Sequence, residues 1–206
     1  MVISSRSDSK IPVMESFYSI QGEGTHTGKP SYFIRLAGCD VNCHWCDVKD
    51  SWDIDENQFK TVKEIVNDVL KSPAEIIVIT GGEPLMHDLT ELTTNLKEYD
   101  KKIHLETSGT HPLSGNFDWI CFSPKKFKEP LDEFFELSDE LKIIIYNNSD
   151  FLWAEENLKK IKNNPDLILQ PEWSKSEKIN SSILEYIKSN PKWKISLQTH
   201  KYLGVD

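Results

Sequence analysis

A chain of 206 residues has room for one domain with a core of its own. Hydrophobic residues at 38% and charged residues at 28% describe a folded globular protein and exclude a disordered one. The net charge of -9 excludes a generic phosphate-binding surface, because non-specific nucleic-acid affinity comes from lysine and arginine. The cluster Lys125, Lys126 and Lys128 reads as a solvated loop.

The opening "MVISSRSDSKIPV" has no apolar stretch of signal-peptide length, and no later run approaches a membrane span. Residues 1–12 therefore read as the frayed start of a single domain, 1–206. The expected setting is a reducing cytoplasm, without membrane or direct nucleic-acid contact, where clustered cysteines bind metal more often than they form disulfides. In chain order, strands are predicted over 31–38, 75–80, 102–107, 118–123, 141–146, 166–170 and 194–198. They are rich in isoleucine, leucine and aromatics, and at least three are continuous enough to be buried on both faces. Helices are predicted over 61–72, 88–99, 150–162 and 177–189. The first opens on a capping box, Thr61 with Glu64, followed by apolar Val62, Ile65, Val66, Val69 and Leu70. Such alternation predicts an α/β fold of parallel strands, as a sheet or as a partial or complete barrel.

The unusual residues fall at strand ends. "GCDVNCHWCD", "GGEP", "ETSGT", "SPKK", "QPEW" and "QTHK" each follow a predicted strand. Any one of these is an ordinary turn. Six at one edge predict a shared site, because ligands in parallel α/β folds bind where the C-terminal loops converge.

Three of the four cysteines are Cys39-x3-Cys43-x2-Cys46. Structural zinc needs a fourth ligand, for which His44, Asp47 or a distant group would have to serve. A thioredoxin-like Cys43/Cys46 pair leaves Cys39 without a role. A cubane iron–sulfur cluster explains the count, since three thiolates leave one of its irons open. Cys121, inside an apolar strand, reads as a small core residue.

This spacing after a first strand, with Trp45 before the last cysteine, resembles the signature of radical S-adenosylmethionine (SAM) enzymes. "GGEP", Gly81 to Pro84, resembles that superfamily's SAM-binding turn, where glycine lets backbone approach the ligand. "FYSIQGEGTHTGKPSYFIRLAGCDVNCHWCD", "TGGEPL", "LETSGT", "SPK", "QPEW" and "SLQTHKYLGVD" together resemble the 7-carboxy-7-deazaguanine synthase family, from about Val13 to the C-terminus.

The resemblance implies a modified, partial (β/α) barrel with a reduced number of helices and a homodimer. It implies a [4Fe–4S] cluster on Cys39, Cys43 and Cys46, and SAM bordered by Trp45, Cys46, Asp47, Gly82, Ser123, Pro124 and Lys125. The implied reaction converts 6-carboxy-5,6,7,8-tetrahydropterin to 7-carboxy-7-deazaguanine with loss of ammonia, a step of queuosine and 7-deazapurine biosynthesis. A 5′-deoxyadenosyl radical starts it by taking hydrogen from C6, with a flavodoxin- or ferredoxin-type protein as electron donor. Substrate contacts are expected from Ile20, Gln21, Gly22, Glu23, Arg35, Thr80, Gln170, Pro171, Glu172 and Trp173. His200 and the terminus near Asp206 are expected to close the pocket. Arg35 is an isolated charge in an apolar run, suited either to a bidentate pair with the substrate carboxylate or to an internal acid. Glu23, Gln170 and Glu172 suit the donor edge of the pterin.

One departure stands out. The family places threonine after Cys-Asp to help bind Mg2+, and this chain has Val48, which offers no side-chain oxygen. Asp50, Ser51 or a water could supply an oxygen ligand, or Lys49 could replace the cation's charge. The expectation is weak magnesium dependence. The alternative functions are an activating enzyme of a glycyl-radical protein, which shares the cysteine and GGEP motifs, and a non-enzymatic iron–sulfur or zinc protein.

Overall fold

The structure is a computed structural model and describes residues 9–205. Residues 1–8 and Asp206, with the fraying and the pocket closure expected of them, lie outside the described residues. Nine strands form one sheet: β1 (Lys10–Ile20), β2 (Pro30–Leu36), β3 (Phe59–Thr61), β4 (Ile76–Gly81), β5 (Lys102–Thr107), β6 (Trp119–Phe122), β7 (Glu140–Ile145), β8 (Asp166–Pro171) and β9 (Lys194–Ile195). Their order is β3-β1-β2-β4-β5-β6-β7-β8-β9. From β2 to β9 every pairing is parallel, while β1 and β3 join antiparallel at one edge. The sheet curls without closing: a partial barrel.

The helices are α1 (Val62–Leu70), α2 (Thr90–Lys97), α3 (Phe134–Leu137), α4 (Asp150–Leu158), α5 (Ser176–Ser189) and α6 (Thr199–Leu203). No helix lies between β2 and β3, where two single 3-10 turns occur, or between β5 and β6. The helix complement is thus reduced, between β5 and β6 by a short link and after β2 by the cysteine loop that takes the helix's place. Among the described residues, no helix is long and apolar enough to cross a membrane.

Strand alternation separates two environments. Ile34 and Leu36, Ile77 and Ile79, Ile103 and Leu105, Leu141, Ile143 and Ile145 join one buried apolar cluster with Val62, Ile65, Val66 and Val69 of α1 and Leu92 and Leu96 of α2. The intervening residues Arg35, Thr80, Glu106, Ser123, Lys142 and Gln170 line a cleft on the opposite, concave face. A period of two therefore puts the core outside the curl and the chemistry inside it.

The frayed reading is corrected from Lys10 onward. Ile11 and Val13 are only 2% and 4% exposed, and the Pro12 carbonyl accepts a hydrogen bond from Ala37 N–H at 3.0 Å. The strand is irregular, with a register shift between Val13 and Glu15, which blurs its alternation. At the other end, β9 stops at Ile195, short of the predicted 198, because Ser196 turns inward and donates its hydroxyl to Gln170 Oε1 at 2.9 Å.

Candidate active site

The cleft has a volume of about 430 Å³ and opens where the parallel strands end. Among the described residues, all those expected at the site line it except Pro124, Asp50 and Lys49. The cysteine loop leaves β2 directly. Asn42 takes a left-handed φ of 55° within it, and Cys46 N–H donates to Cys43 O at 2.9 Å. Burial pushes the Cys43 thiol up to about 11 and raises Cys39 as well. Backbone N–H groups of Val41 and Asn42 reach the Cys39 sulfur. A redox-active Cys-x-x-Cys depresses its nucleophile, so the raised Cys43 thiol argues against that reading. Among the described residues, no three His, Cys, Asp or Glu side chains close around a single-ion position. Thiols spread along a loop suit a cluster that takes one thiolate per iron.

The glycine turn packs against this loop. A Cβ on Gly82 would stand 2.1 Å from Gly38 O and 2.9 Å from the Cys39 Cβ. Glycine is thus demanded here by contact with the cysteine loop itself, a closer constraint than the ligand approach the motif suggests. Glu83 N–H donates to Gly38 O at 2.8 Å, tying the turns together. The buried Glu83 carboxylate accepts from Thr107 Oγ1 at 2.6 Å, from Ser108 N–H at 2.8 Å and from the Ser108 hydroxyl. The "ETSGT" segment is therefore the bracket of the GGEP turn. Lys125 Nζ bonds Ser123 O and Oγ at 2.5 and 2.6 Å.

The loop after β1 carries the second half of the site. Gln21 Nε2 donates to Glu106 Oε1 at 3.0 Å, and Gln21 Oε1 accepts from Glu23 N–H at 3.1 Å. Glu23 pairs with Lys142 at 2.8 Å and accepts from Gln198 Nε2 at 2.9 Å. Burial pushes the Glu23 carboxyl up, but the Lys142 charge and bonds from Lys142, Gln170 and Gln198 outweigh it and hold it well below the usual carboxylate range. Asp47 behaves alike: burial is overcome by Lys201 at 2.6 Å and Gln198 at 3.0 Å. Gln198 thus bridges the cysteine loop and the Glu23 loop.

The C-terminal segment crosses the rim. Thr199 N–H and Oγ1 donate to Gly22 O at 2.9 and 3.0 Å, and a Cβ on Gly22 would lie 2.1 Å from the His200 ring. Burial lowers the His200 imidazole below its ordinary value. Trp173 meets Tyr202 edge-on at 5.3 Å, with Lys201 over its ring. Glu172 is engaged as the cap of residues 173–175, accepting from Ser174 N–H at 3.1 Å and Oγ at 2.7 Å.

Arg35 meets Glu15, its partner across β1 and β2, with Nε 2.6 Å from Oε1, so the internal acid is present while both residues line the cleft. Around Val48 the expected side-chain substitutes are engaged elsewhere or turned away from the cleft. Asp50 does not line the cleft, Lys49 lies over the Trp52 ring, and the Ser51 hydroxyl donates to Val48 O at 2.6 Å. The residues there do not fit a divalent cation. Missed by sequence reasoning were Lys142, Glu106, Gln198 and Lys201. Glu106 and the last two sat in noted clusters, whereas Lys142 inside "LKIIIY" carried no signal beyond an isolated charge in an apolar run.

Cysteine loop, glycine turn and open barrel are features of one class: the family model of the radical SAM superfamily matches residues 33–164. The 7-carboxy-7-deazaguanine synthase of Flavobacterium psychrophilum is 52% identical over 195 residues, 95% of this chain and 92% of the relative. That of Synechocystis sp. is 48% identical over 194 residues, 94% and 93% of the two chains. The crystal structure of QueE from Escherichia coli matches with a TM-score of 0.83 at 29% identity, covering 91% of this chain and 93% of that one. The chain belongs to the 7-carboxy-7-deazaguanine synthase family of radical SAM enzymes. It is an enzyme whose class works with a [4Fe–4S] cluster and SAM. These relatives favour the pterin enzyme over a glycyl-radical activating enzyme or a non-enzymatic metal protein.

Proposed function

We propose that this single radical SAM domain converts 6-carboxy-5,6,7,8-tetrahydropterin to 7-carboxy-7-deazaguanine, with both halves of the reaction housed in the one concave cleft. The observation that carries the reading is the convergence in that cleft of the three cysteines, the GGEP turn and the polar loop at Gln21 and Glu23. Cys39, Cys43 and Cys46 would hold the cluster; Trp45, Asp47, Gly82, Ser123 and Lys125 would border SAM. When bound, these groups supply the radical that takes hydrogen from C6, after which the ring contracts and ammonia leaves.

The chain's own residues bind, orient and exclude water. Gln21, Glu23 and Gln170 present acceptors to the amino-pyrimidinone edge, and Arg35 offers its guanidinium to the substrate carboxylate. Ile20, Gly22, Thr80, Pro171, Glu172 and Trp173 shape the walls. Gln198, His200 and Lys201 hold the C-terminal segment over the mouth, which keeps bulk water from the reacting atoms. No step is assigned to a divalent cation. A homodimer, and a flavodoxin- or ferredoxin-type electron donor, rest on the family resemblance, as does a place in the cytoplasm.

Anaerobic incubation of cluster-loaded protein with SAM and a reductant, with and without the pterin, tests the reading by mass analysis. Product appears only with substrate and is lost in Cys43→Ala. SAM cleavage without that product would overturn the substrate, and no cleavage by a loaded cluster would overturn the class of chemistry.

A further inference from the structure

Strand β7 alternates sharply. Leu141, Ile143 and Ile145 enter the apolar core, while Lys142 and Ile144 face the cleft. The Lys142 side chain is only 6% exposed, and an ammonium buried this far is costly unless it is paired and hydrogen-bonded. Its Nζ lies 2.8 Å from Glu23 Oε2 and 3.5 Å from Glu106 Oε2. Glu106 in turn accepts from Gln21 Nε2, and Gln21 accepts from Glu23 N–H. These contacts close a ring through Gln21, Glu23, Lys142 and Glu106, each of which lines the cleft. The groups facing Glu23 come from every neighbouring element: Lys142 and Glu140 on β7, Glu106 on β5, Cys121 on β6, Gln170 on β8, Asp47 in the cysteine loop, and Gln198 and His200 near the terminus. Among them Lys142 is the cation in direct contact with Glu23.

We propose that Lys142 is a positioning residue for substrate recognition, keeping Glu23 an anionic acceptor, braced by Gln21 and Glu106, for the N–H donors of the pterin edge. The proposal rests on Glu23 as a substrate contact. A neutral carboxyl would turn an O–H donor toward N–H donors and lose the charge assistance that strengthens such bonds. Without Lys142, the Glu23 and Glu106 carboxyls would share a buried space with no cation, and one of them would take up a proton. In the intact enzyme Glu23 stays ionised at neutral pH, because its carboxyl is held low. Its removal from that state is therefore visible as a pH dependence that packing alone does not create.

The test is equilibrium binding of 6-carboxytetrahydropterin to cluster-loaded protein with SAM and no reductant, anaerobically, from pH 6 to pH 9. Dividing each variant's dissociation constant by that of the unsubstituted enzyme at the same pH cancels titration of the ligand. Lys142→Met is expected to bind at least about tenfold more weakly at pH 6, with the ratio shrinking toward pH 9. Lys142→Gln, which keeps hydrogen-bonding capacity, is expected to do the same, and Lys142→Arg to restore a flat ratio. Glu23→Gln is expected to weaken binding at every pH. If Glu23→Gln is impaired but the Lys142 variants bind normally or with a flat ratio, the role of Lys142 is overturned and that of Glu23 survives. If Glu23→Gln binds normally, the contact itself is overturned. Failure of both uncharged Lys142 variants to fold would assign the residue to structure and overturn the proposal.

Discussion

Val48 shows how one side chain redirects an expectation. It has no oxygen to offer, its carbonyl is taken by Ser51, and Lys49 stacks on Trp52. After chelation, steady-state rates should change little across a magnesium titration, and Val48→Thr should gain a saturating response. A sharp requirement in the unsubstituted enzyme would show that ligands come from elsewhere. The residues that were legible in the sequence are those whose types are rare in their setting: three thiols in one loop, two glycines at a strand end. Lys142, Glu106, Gln198 and Lys201 were not, because a lysine or glutamine is common and its role comes from partners far along the chain. The Lys142–Glu23 contact spans 119 positions.

At the scale of elements, α1 is the clearest case. Thr61 accepts from Glu64 N–H at 3.2 Å while the Glu64 carboxylate accepts from Thr61 N–H at 2.8 Å, and Val62, Ile65, Val66 and Val69 are buried beneath. Thr61→Ala should cost about 1 kcal/mol of stability in denaturant unfolding, with turnover per loaded cluster unchanged, because the cap lies on the outer layer away from the cleft. A loss of turnover instead would place α1 in the site. Local signals of this kind are strong where period and caps agree. They failed at β1, where Pro12 and a register shift interrupt the pattern, and at β3, whose three residues are too few to show one. Pairing with β2 rather than local preference makes β1 a strand.

At the scale of the molecule, the floor of the curl contributes a pH response. His104 lies 4.5 Å from His26 and near Trp119, and burial pushes its imidazole down to about 4. The unfolded chain takes up that proton near pH 6.5 and the fold refuses it until about 4, so stability is full above this window and falls as pH drops through it. Half-buried His26 shifts the same way. The carboxyls of Asp118 and Asp166 are held low, Asp118 with partial desolvation outweighed by Lys97 and the Ile103 N–H and Asp166 chiefly by Lys194, and their contribution is lost only at still lower pH. Unfolding of cluster-loaded protein at pH 7.5 and pH 5.0 should show a drop of about 1–3 kcal/mol, smaller in His104→Gln. Equal stabilities at the two pH values would remove the histidines from the account.

Seven parallel strands, most crossover helices, the cysteine loop and the glycine turn follow from periodicity and composition, since each is specified within a dozen residues. The open edge, the antiparallel β1 and β3, and the charged ring at the cleft floor do not. Strand pairing and buried charge pairs join positions that no local pattern relates, and a buried ammonium is tolerable only once folding has brought its carboxylates to it.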